Sequence, residues 1–468
     1  MVRASLDDVR RRVVGIDAEV TLLDGSKRPY INFDNASTTP CLGRVLERTA
    51  EFLRWYGSVG RGAGFKSDVS TTAMSDARAS LASFVGADLA AHTVIFTKNT
   101  TEALNKLAHR FPFAAGDVVL CSLMEHHSND LPWRAAAEVE RIGIDRTGRL
   151  DLMHLERQLG KLGGRVRLVG VTGGSNVTGY INPIHDIAEM AHAAGAQVVV
   201  DAAQLAAHRT IQMGPAGGAR SIDYLAFAGH KMYAPFGVGV LVGLKEAFLS
   251  YDFDMVGGGT VDLVTLNDTQ WSGLPAREEA GSLNAVGIVA LAEAAWCLQE
   301  IGLDRIAEHE AALTARFLRG LHEIDGIIVH GDDDPDRATE RLGVVPFEVR
   351  GMPHQLVAAI LAAEGGIGVR TGLFCSHPYM LEVMDYGTAR VAGLKKELAA
   401  GVRAKLPGFT RVSFGLYNTE LEVDALLDLL VRLASGRYAG EYTQDLASGA
   451  FHAKGHARGV EDAFALGR

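Results

Sequence analysis

The chain has 468 residues, which is long enough for two or more domains, and its composition of 47% hydrophobic and 22% charged residues is ordinary for a globular protein. A formal net charge of −10 and the lack of a basic stripe argue against nucleic acid as a partner. Residues 1–20 lack the apolar segment of a secretory signal, and no apolar run reaches membrane-spanning length. None of the four cysteines forms a C-x-x-C pair. We therefore expect a cytoplasmic protein with free thiols and no membrane partner.

Strand and helix patterns alternate through the middle of the chain. Apolar runs at 94–97, 118–121, 166–171 and 198–200 predict buried strands, and Pro183 begins a helical pattern between the last two. A strand, a helix and a strand at this spacing predict a βαβ unit, and hence a mainly parallel sheet flanked by helices. Because ligands of such sheets gather at the carboxyl ends of strands, functional residues are expected just after these runs.

The pattern changes after about residue 265. Helical segments then alternate with short apolar runs, which predicts a smaller α+β domain. The resulting division is an N-terminal extension belonging to the small domain (1–30), a large domain (31–285), a small C-terminal domain (286–437) and a C-terminal tail with little periodicity (438–468).

The first polar motif follows the 94–97 run and contains Thr100 and Thr101. Hydroxyl groups at the start of a helix can bind an anion such as phosphate, although either threonine can instead be a helix N-cap. His126 follows the 118–121 run, where a histidine can stack on an aromatic cofactor, ligate a metal or lie in an ordinary loop. The sequence has no third ligand at a recognisable spacing, so no metal is predicted.

Asp201 and Lys231 form the most informative pair. Asp201 ends the fourth apolar run, and Lys231 lies thirty positions later in a Gly-His-Lys turn. A lysine amine can bind an aldehyde cofactor covalently, and an aspartate can keep a pyridine nitrogen protonated, which points to pyridoxal 5′-phosphate (PLP). Asn176 and Gln204 follow neighbouring runs and can contact the phenolic oxygen of such a cofactor, or satisfy turns instead.

His230 and Ser282 are further candidates for binding the phosphate. His230 precedes the lysine, and Ser282 stands at a turn before a helix, where it can act across a dimer interface or merely cap the helix. The strand-end motifs succeed one another along one sheet, and each suits a different part of a single cofactor.

Two residues of the predicted small domain also carry chemistry. Cys375 lies in a loop punctuated by Gly372 and Pro378. A thiol in an exposed loop can become a thiolate near positive charge, whereas a buried structural cysteine is the alternative. Arg411 enters an apolar run and can bind an α-carboxylate through two hydrogen bonds, or be an ordinary surface arginine.

Together the motifs resemble the class V aminotransferase family of PLP-dependent enzymes, and most closely its cysteine desulfurase/selenocysteine lyase branch. The resemblance covers about residues 31–433. It rests on the order of Asn-Thr-Thr-Glu (99–102), Met-Glu-His-His-Ser-Asn (124–129), Ser-Asn-Val-x-Gly (175–179), Val-Asp-Ala-Ala-Gln (200–204), Gly-His-Lys-Met-Tyr (229–233), Glu-Ala-Gly-Ser-x-Asn (279–284), Arg-Thr-Gly-x-x-Cys (370–375) and Leu-Tyr-Asn-Thr-Glu (416–420).

The resemblance implies an aspartate aminotransferase-like α/β fold (fold type I). Its large PLP-binding domain has a mainly parallel seven-stranded sheet flanked by helices, with a smaller α+β domain beside it. It also implies a homodimer. By this resemblance Lys231 would link the cofactor and act as general acid/base, Asp201 would pair with the ring nitrogen, and His126 would stack on the ring. Gln204 and Asn176 would contact the phenolic oxygen or the substrate, and the phosphate would be bound by Thr100, Thr101, His230 and, across the dimer, Ser282. Arg411, with Arg370 beside it, would bind the substrate carboxylate, and Cys375 would accept the sulfur.

The implied activity is the removal of sulfur from L-cysteine, which yields L-alanine and a persulfide on Cys375. The substrate can also be a related selenol or thioether, and a protein can accept the sulfur. Other PLP reactions of the same family, those of a carbon–sulfur lyase, an amino-acid epimerase or a transaminase, need Lys231 and Asp201 but not Cys375. A scaffold without cofactor is disfavoured, because an amine, a carboxylate and an imidazole in one pocket would each cost desolvation. This chain also carries an insertion at 381–409 that compact desulfurases lack.

Overall fold

The computed structural model describes residues 5–60, 62–250, 252–456 and 459–466. They form two compact units. The first consists mainly of Thr38–Ser175 and Tyr180–Ala307. The second contains Leu6–Ser37, the short segment Asn176–Gly179 and the chain from Glu308 onward. The domain boundaries expected from the sequence, at residues 30, 285 and 437, remain predictions.

The first unit is built on a seven-stranded sheet, which confirms the predicted fold class. Six strands run parallel to one another, and Gly239–Leu244 is antiparallel to both of its neighbours. The βαβ unit predicted from the apolar runs is confirmed, because the strands before and after its helix pair in parallel. In spatial order the strands are His92–Thr97, Gly239–Leu244, Tyr224–Ala228, Gln197–Asp201, Val166–Thr172, Val118–Ser122 and Glu138–Ile142.

The central strands are buried on both faces. Val198, Val199 and Val200 are all fully buried, so side chains of both orientations are covered. Continuous apolar runs of this kind are typical of parallel sheets between helical layers. The helices of this unit are Gly43–Trp55, Phe65–Phe84, Thr100–Arg110, Leu131–Ala136, Leu152–Leu162, Ile184–Ala193 and Ala285–Ile301, and a small hairpin pairs Val261–Val264 with Thr269–Trp271.

The second unit has an antiparallel four-stranded sheet. Its strands, in spatial order, are Ile327–Val329, Val344–Val349, Phe409–Ser413 and Arg370–Gly372. Phe33 and Phe414 meet edge to face in its core, with ring centroids 5.5 Å apart. Its helices are Leu6–Arg10, His354–Gly365, His377–Val383, Thr388–Ala399, Glu420–Ala434 and Val460–Ala463, and Leu303–His322 is shared between the units.

Short strand pairs complete the second unit. Ile31–Asn32 runs parallel to Ile367–Gly368, while Glu19–Thr21 and Lys27–Pro29 form a hairpin. The tail, in which the sequence showed little periodicity, contains a hairpin of Tyr442–Gln444 and Phe451–Ala453.

The tail hairpin packs on the helix His354–Gly365 of the same unit. In the insertion, the helix Thr388–Ala399 buries no residue.

Over the described ranges, no single helix is long and apolar enough to cross a membrane, although Ala285–Ile301 and Leu303–His322 pass that test together as a bent pair.

Candidate active site

The predicted site residues fall into two groups, one in each unit, and Asp201 lies in the first. It is the last residue of the central strand Gln197–Asp201 and is buried. Its Oδ1 accepts a hydrogen bond of 2.9 Å from the Ala203 N–H group. Burial raises the pKa of the Asp201 carboxyl, while that N–H group and the positive charge of Lys231 act in the opposite direction. A carboxylate held close to a cation at a strand end is suited to pair with a protonated ring nitrogen.

Lys231 ends a single 3-10 turn, Gly229–Lys231. The carbonyl oxygen of His230 accepts hydrogen bonds from Thr38 Oγ1 and from the Thr39 N–H group, both at 2.9 Å. Tyr233, which follows with a left-handed φ of 63°, donates its N–H to Thr39 Oγ1 at 2.7 Å. Residues far away in the sequence therefore fix the backbone that carries the lysine.

His230 is held as a neutral ring. Burial first, and then the charge of Lys231, lower the pKa of its imidazole to about 4. At neutral pH His230 therefore offers one N–H donor and no charge. This suits a hydrogen bond to an anion rather than an ion pair.

His126 has a defined tautomer. Its Nδ1 accepts a hydrogen bond of 3.1 Å from the Ser128 N–H group and lies 2.9 Å from Ser128 Oγ. The neutral ring therefore carries its proton on Nε2. Ser128 Oγ is also 2.7 Å from Thr101 Oγ1, so this serine connects two of the predicted residues. Sequence reasoning missed Ser128.

The N-terminus of the helix Thr100–Arg110 excludes a capping role for the two threonines. The N-cap is Asn99, whose Oδ1 accepts a hydrogen bond of 2.9 Å from the Glu102 N–H group. Thr100 Oγ1 is buried without a hydrogen-bond partner among the described residues. A free hydroxyl at the positive end of a helix fits an anionic group.

Gly239 lets the sheet approach this helix end. A Cβ atom at Gly239 would lie 2.4 Å from the backbone carbon of Asn99, a distance that no side chain tolerates. A glycine is therefore required at this point, where the antiparallel strand meets the residue that caps the helix.

Glu125 is a second residue that sequence reasoning missed, because the neighbouring histidines carried the stronger signal. Ser122 Oγ and the Thr172 N–H group, the latter at 2.7 Å, donate to its Oε1, and Asn129 Nδ2 donates to Oε2 at 2.6 Å. Burial chiefly, with a contribution from Asp201, raises the pKa of this carboxyl to about 8. Glu125 is thus a second buried acid at this edge of the sheet, and the charge of Asp201 favours its protonated form.

Gln204 and Ser282 complete the first group. Gln204 is buried in the turn after Asp201. Ser282 is exposed and does not cap the following helix, because Asn284 is its N-cap and accepts a hydrogen bond of 3.0 Å from the Gly287 N–H group. The hydroxyl of Ser282 thus lies on the surface of the described chain.

In the second unit, Arg411 is buried within the strand Phe409–Ser413, so the alternative of a surface arginine is wrong. Its Nη2 lies 3.0 Å from Asp34 Oδ1, and its Nη1 donates to the Asn176 carbonyl oxygen at 2.7 Å. Burial lowers the pKa of this guanidinium to about 10, against the opposing effect of Asp34. Arg411 Nε has no hydrogen-bond partner among the described residues.

Arg370 is the cross-strand partner of Arg411 in the antiparallel sheet. Its side chain is 48% exposed, and its Nη1 lies 3.9 Å from Asp34 Oδ2. Asp34, which sequence reasoning did not consider, therefore faces both arginines. Its signal in the sequence is weak, because a single aspartate after a short strand has no characteristic spacing.

Cys375 is exposed, whereas Cys41, Cys121 and Cys297 are buried. Burial raises the pKa of each of these three thiols, that of Cys297 to about 12. Cys375 and the preceding Phe374 both adopt left-handed backbone angles, with φ of 55° and 48°. The exposed loop cysteine expected from the sequence is thus present, on a strained segment.

Asn176 belongs to the second unit together with this loop. Its Nδ2 donates to the Phe374 carbonyl oxygen at 2.7 Å, and its Oδ1 accepts a hydrogen bond of 2.9 Å from Ser376 Oγ. Its predicted contact to a cofactor or substrate remains a prediction. Within the described ranges, no group of three or more His, Cys, Asp and Glu side chains is arranged to hold a metal ion.

The chain is similar to proteins of one family over most of its length. The family model described as "Aminotransferase class-V" matches residues 31–426. A cysteine desulfurase of Cronobacter sakazakii is 34% identical, with 89% of this chain and 96% of the relative covered. A probable cysteine desulfurase of Halalkalibacterium halodurans is 32% identical, with 90% and 95% covered.

Solved structures agree in fold. The apo cysteine desulfurase of Thermococcus onnurineus has a TM-score of 0.76 at 32% identity and covers 87% of this chain and 95% of its own. The Escherichia coli cysteine desulfurase CsdA (S-sulfonic acid) has a TM-score of 0.74 at 26% identity, with 93% and 100% covered.

Proposed function

The chain belongs to the aminotransferase class-V family, and we propose that it is a PLP-dependent cysteine desulfurase. It would convert L-cysteine to L-alanine and leave the sulfur as a persulfide on Cys375. The observation that carries this choice within the family is the contrast between Cys375, exposed on its strained loop, and the three buried cysteines. The similar proteins described as cysteine desulfurases support it.

The residues of the first unit fit the cofactor. The Asp201 carboxylate suits the ring nitrogen, and the neutral His126 suits the ring face. The Thr100 hydroxyl, which has no hydrogen-bond partner in the described part of the chain, suits the phosphate together with Thr101 and the His230 donor. Gln204 is proposed for the phenolic oxygen and Ser282 for the phosphate across a homodimer interface, and Asn176 of the second unit is also proposed for the phenolic oxygen.

The chain's own groups would divide the reaction as follows. When bound, PLP supplies a sink for the electrons of the substrate carbon. Lys231 holds it and then moves the α-proton of the substrate. Arg411 binds the substrate carboxylate, with Arg370 beside it.

Cys375 carries out the sulfur transfer. Its thiolate attacks the substrate sulfur, so that an S–S bond forms while the C–S bond breaks and its electron pair stays on carbon. Protonation of that carbon gives alanine, and Cys375–SH becomes Cys375–S–SH. A protein would then accept the sulfur.

One experiment tests the proposal directly. The purified PLP-loaded protein is incubated with L-cysteine, alanine is quantified, and the Cys375 peptide is examined by mass spectrometry. We expect one added sulfur on that peptide and alanine in equal initial amount. Cys375→Ser should abolish both products, Lys231→Ala should abolish them and the cofactor absorbance, and the control Cys297→Ser should keep them. Alanine formation that persists in Cys375→Ser would show that Cys375 is not the sulfur acceptor, and formation of pyruvate, the other enantiomer or a 2-oxo acid in place of alanine would favour a lyase, an epimerase or a transaminase.

A further inference from the structure

We propose that Ser376 is a positioning residue that, together with the Asn176 side chain, holds the Cys375 loop for sulfur transfer. This inference rests on the proposed function for the role of Cys375. The clamp that we infer consists of the Asn176 carboxamide, the Ser376 hydroxyl and the Phe374 carbonyl group. These atoms bracket the cysteine on both sides in the sequence.

The contacts of the clamp use both ends of one amide. Asn176 Nδ2 binds the residue before Cys375 at 2.7 Å, and Asn176 Oδ1 binds the residue after it at 2.9 Å. Ser376 is fully buried and Asn176 nearly so, while Cys375 between them is exposed. Buried hydrogen bonds on either side of an exposed thiol restrict the backbone without covering the sulfur.

Ser376 gives up an alternative partner to make this contact. It occupies the N-cap position of the helix His377–Val383, where a serine side chain normally accepts a backbone N–H group. Here the side chain makes no capping hydrogen bond and donates to Asn176 instead. The local preference of the residue is thus overridden in favour of the loop.

The backbone of the loop needs such restraint. Phe374 and Cys375 both have positive φ although neither is glycine. Residues in this region persist only when surrounding contacts hold them there. Without the clamp, the two residues would relax towards common backbone angles and the thiol would move.

The clamp is also connected to the proposed carboxylate-binding group. Arg411 Nη1 donates to the Asn176 carbonyl oxygen at 2.7 Å, and its guanidinium carbon lies 4.7 Å from the centroid of the Phe374 ring. The residue that would orient the substrate and the loop that would receive its sulfur therefore share Asn176 as a common support.

Ser376→Ala removes half of the clamp without altering a residue proposed to touch cofactor or substrate. Tyr379→Phe is the matched control, because it removes another buried hydrogen bond between the same two segments, the 2.9 Å contact between Thr178 Oγ1 and Tyr379 Oη. Both variants lose one hydroxyl, and only the first lies next to Cys375.

In the PLP-loaded enzyme, Ser376→Ala should lower kcat for persulfide formation about tenfold while KM and the cofactor absorbance stay unchanged. Tyr379→Phe should change kcat less than about twofold. In cofactor-free protein, amide hydrogen exchange of the peptide containing residues 373–376 should be faster by about tenfold in Ser376→Ala only.

Equal kcat and equal exchange in the two variants would overturn the clamp, as would an effect of Ser376→Ala confined to KM. If Ser376→Ala does not fold, the exchange measurement is made on Asn176→Asp, which places an oxygen against the Phe374 carbonyl and should accelerate exchange there. Absence of a persulfide on Cys375 in the wild-type protein would instead reject the proposed function, with the exchange result still reporting on the clamp.

Discussion

Arg411 and Asp34 form an ion pair of 3.0 Å in which the arginine side chain is 3% exposed and the aspartate 24% exposed. The arginine is thus almost completely removed from water, and its charge is balanced by a partly exposed carboxylate. Because a buried charge is costly when it loses its partner, Asp34 stabilises the arginine in the absence of substrate.

Asp34→Asn should therefore lower the free energy of unfolding by about 1–3 kcal/mol, since Arg411 keeps a neutral acceptor but loses the opposite charge. Urea denaturation of the cofactor-free protein measures the change. Arg370→Gln is the control and should cost less than about 1 kcal/mol, because Arg370 is half exposed and its contact with Asp34 is 3.9 Å. Equal stability of Asp34→Asn and wild type would contradict this role.

Iodoacetamide should modify Cys375 first. Cys41, Cys121 and Cys297 are buried and burial raises their pKa values, so their thiolates are scarce and inaccessible. Peptide mass spectrometry over a time course at pH 7.5 should show Cys375 labelled at least about tenfold faster than the others. Comparably rapid labelling of Cys297 in folded protein would be inconsistent with the structure.

Glu125 should make stability depend on pH. Its pKa is raised from the ordinary 4.5 to about 8 in the folded chain, so the folded state holds this proton more tightly than the unfolded state. The contribution is complete below pH 4.5 and is lost as the pH rises towards 8. Glu125→Gln cannot ionise, and its unfolding free energy should fall less steeply over this interval.

For Glu125→Gln, the informative quantity is the slope of the unfolding free energy against pH. The absolute stability should also drop, because the new amide nitrogen would face Asn129 Nδ2, which now donates to Oε2. Denaturation curves of both proteins at several pH values separate the two effects, and parallel pH profiles would argue against the raised pKa.

Thr100→Val should leave the cofactor-free protein as stable as wild type or slightly more stable, because it removes a buried hydroxyl without a partner in the described structure. The same change should weaken PLP binding by about tenfold if that hydroxyl contacts the phosphate. Titration with PLP and thermal unfolding without it give the two readouts. Thr101→Val is the contrast, since it breaks the 2.7 Å contact with Ser128 and should destabilise both the cofactor-free and the PLP-bound protein. Wild-type affinity in Thr100→Val would remove Thr100 from the proposed site.

The sequence sufficed for the sheet and for the strand-end residues because both follow from local patterns. Continuous valines predict a strand buried on both faces, and a polar residue directly after it must lie at the sheet edge. Asp201 and His126 were found in this way. Asn99 and Glu102 also have the spacing of a helix N-terminus, but Thr100 and Thr101 carry the same kind of signal at adjacent positions, so the sequence alone does not single out Asn99 as the cap.

The supporting residues were not predictable from such patterns. Asp34 acts on Arg411 from 377 positions away, and Ser376 meets Asn176 across 200. Each has an ordinary alternative in its own segment, a turn aspartate or a helix cap. Their roles follow from tertiary contacts alone, which no spacing rule encodes.

The turn that carries Lys231 receives hydrogen bonds from Thr38 and Thr39, at sequence separations of 192 and 191. The closure of so long a loop costs conformational entropy, which the packing of the strands and helices that lie between its ends in the sequence offsets. A chain that ends before residue 231 contains the two threonines but not the lysine turn to which they donate. A fragment that begins after residue 39 contains the lysine turn without these hydrogen bonds. If Lys231 binds the cofactor as proposed, the colour of the bound cofactor appears only in chains that contain both segments, and pulse-labelled chains that acquire this colour would time the closure of the loop.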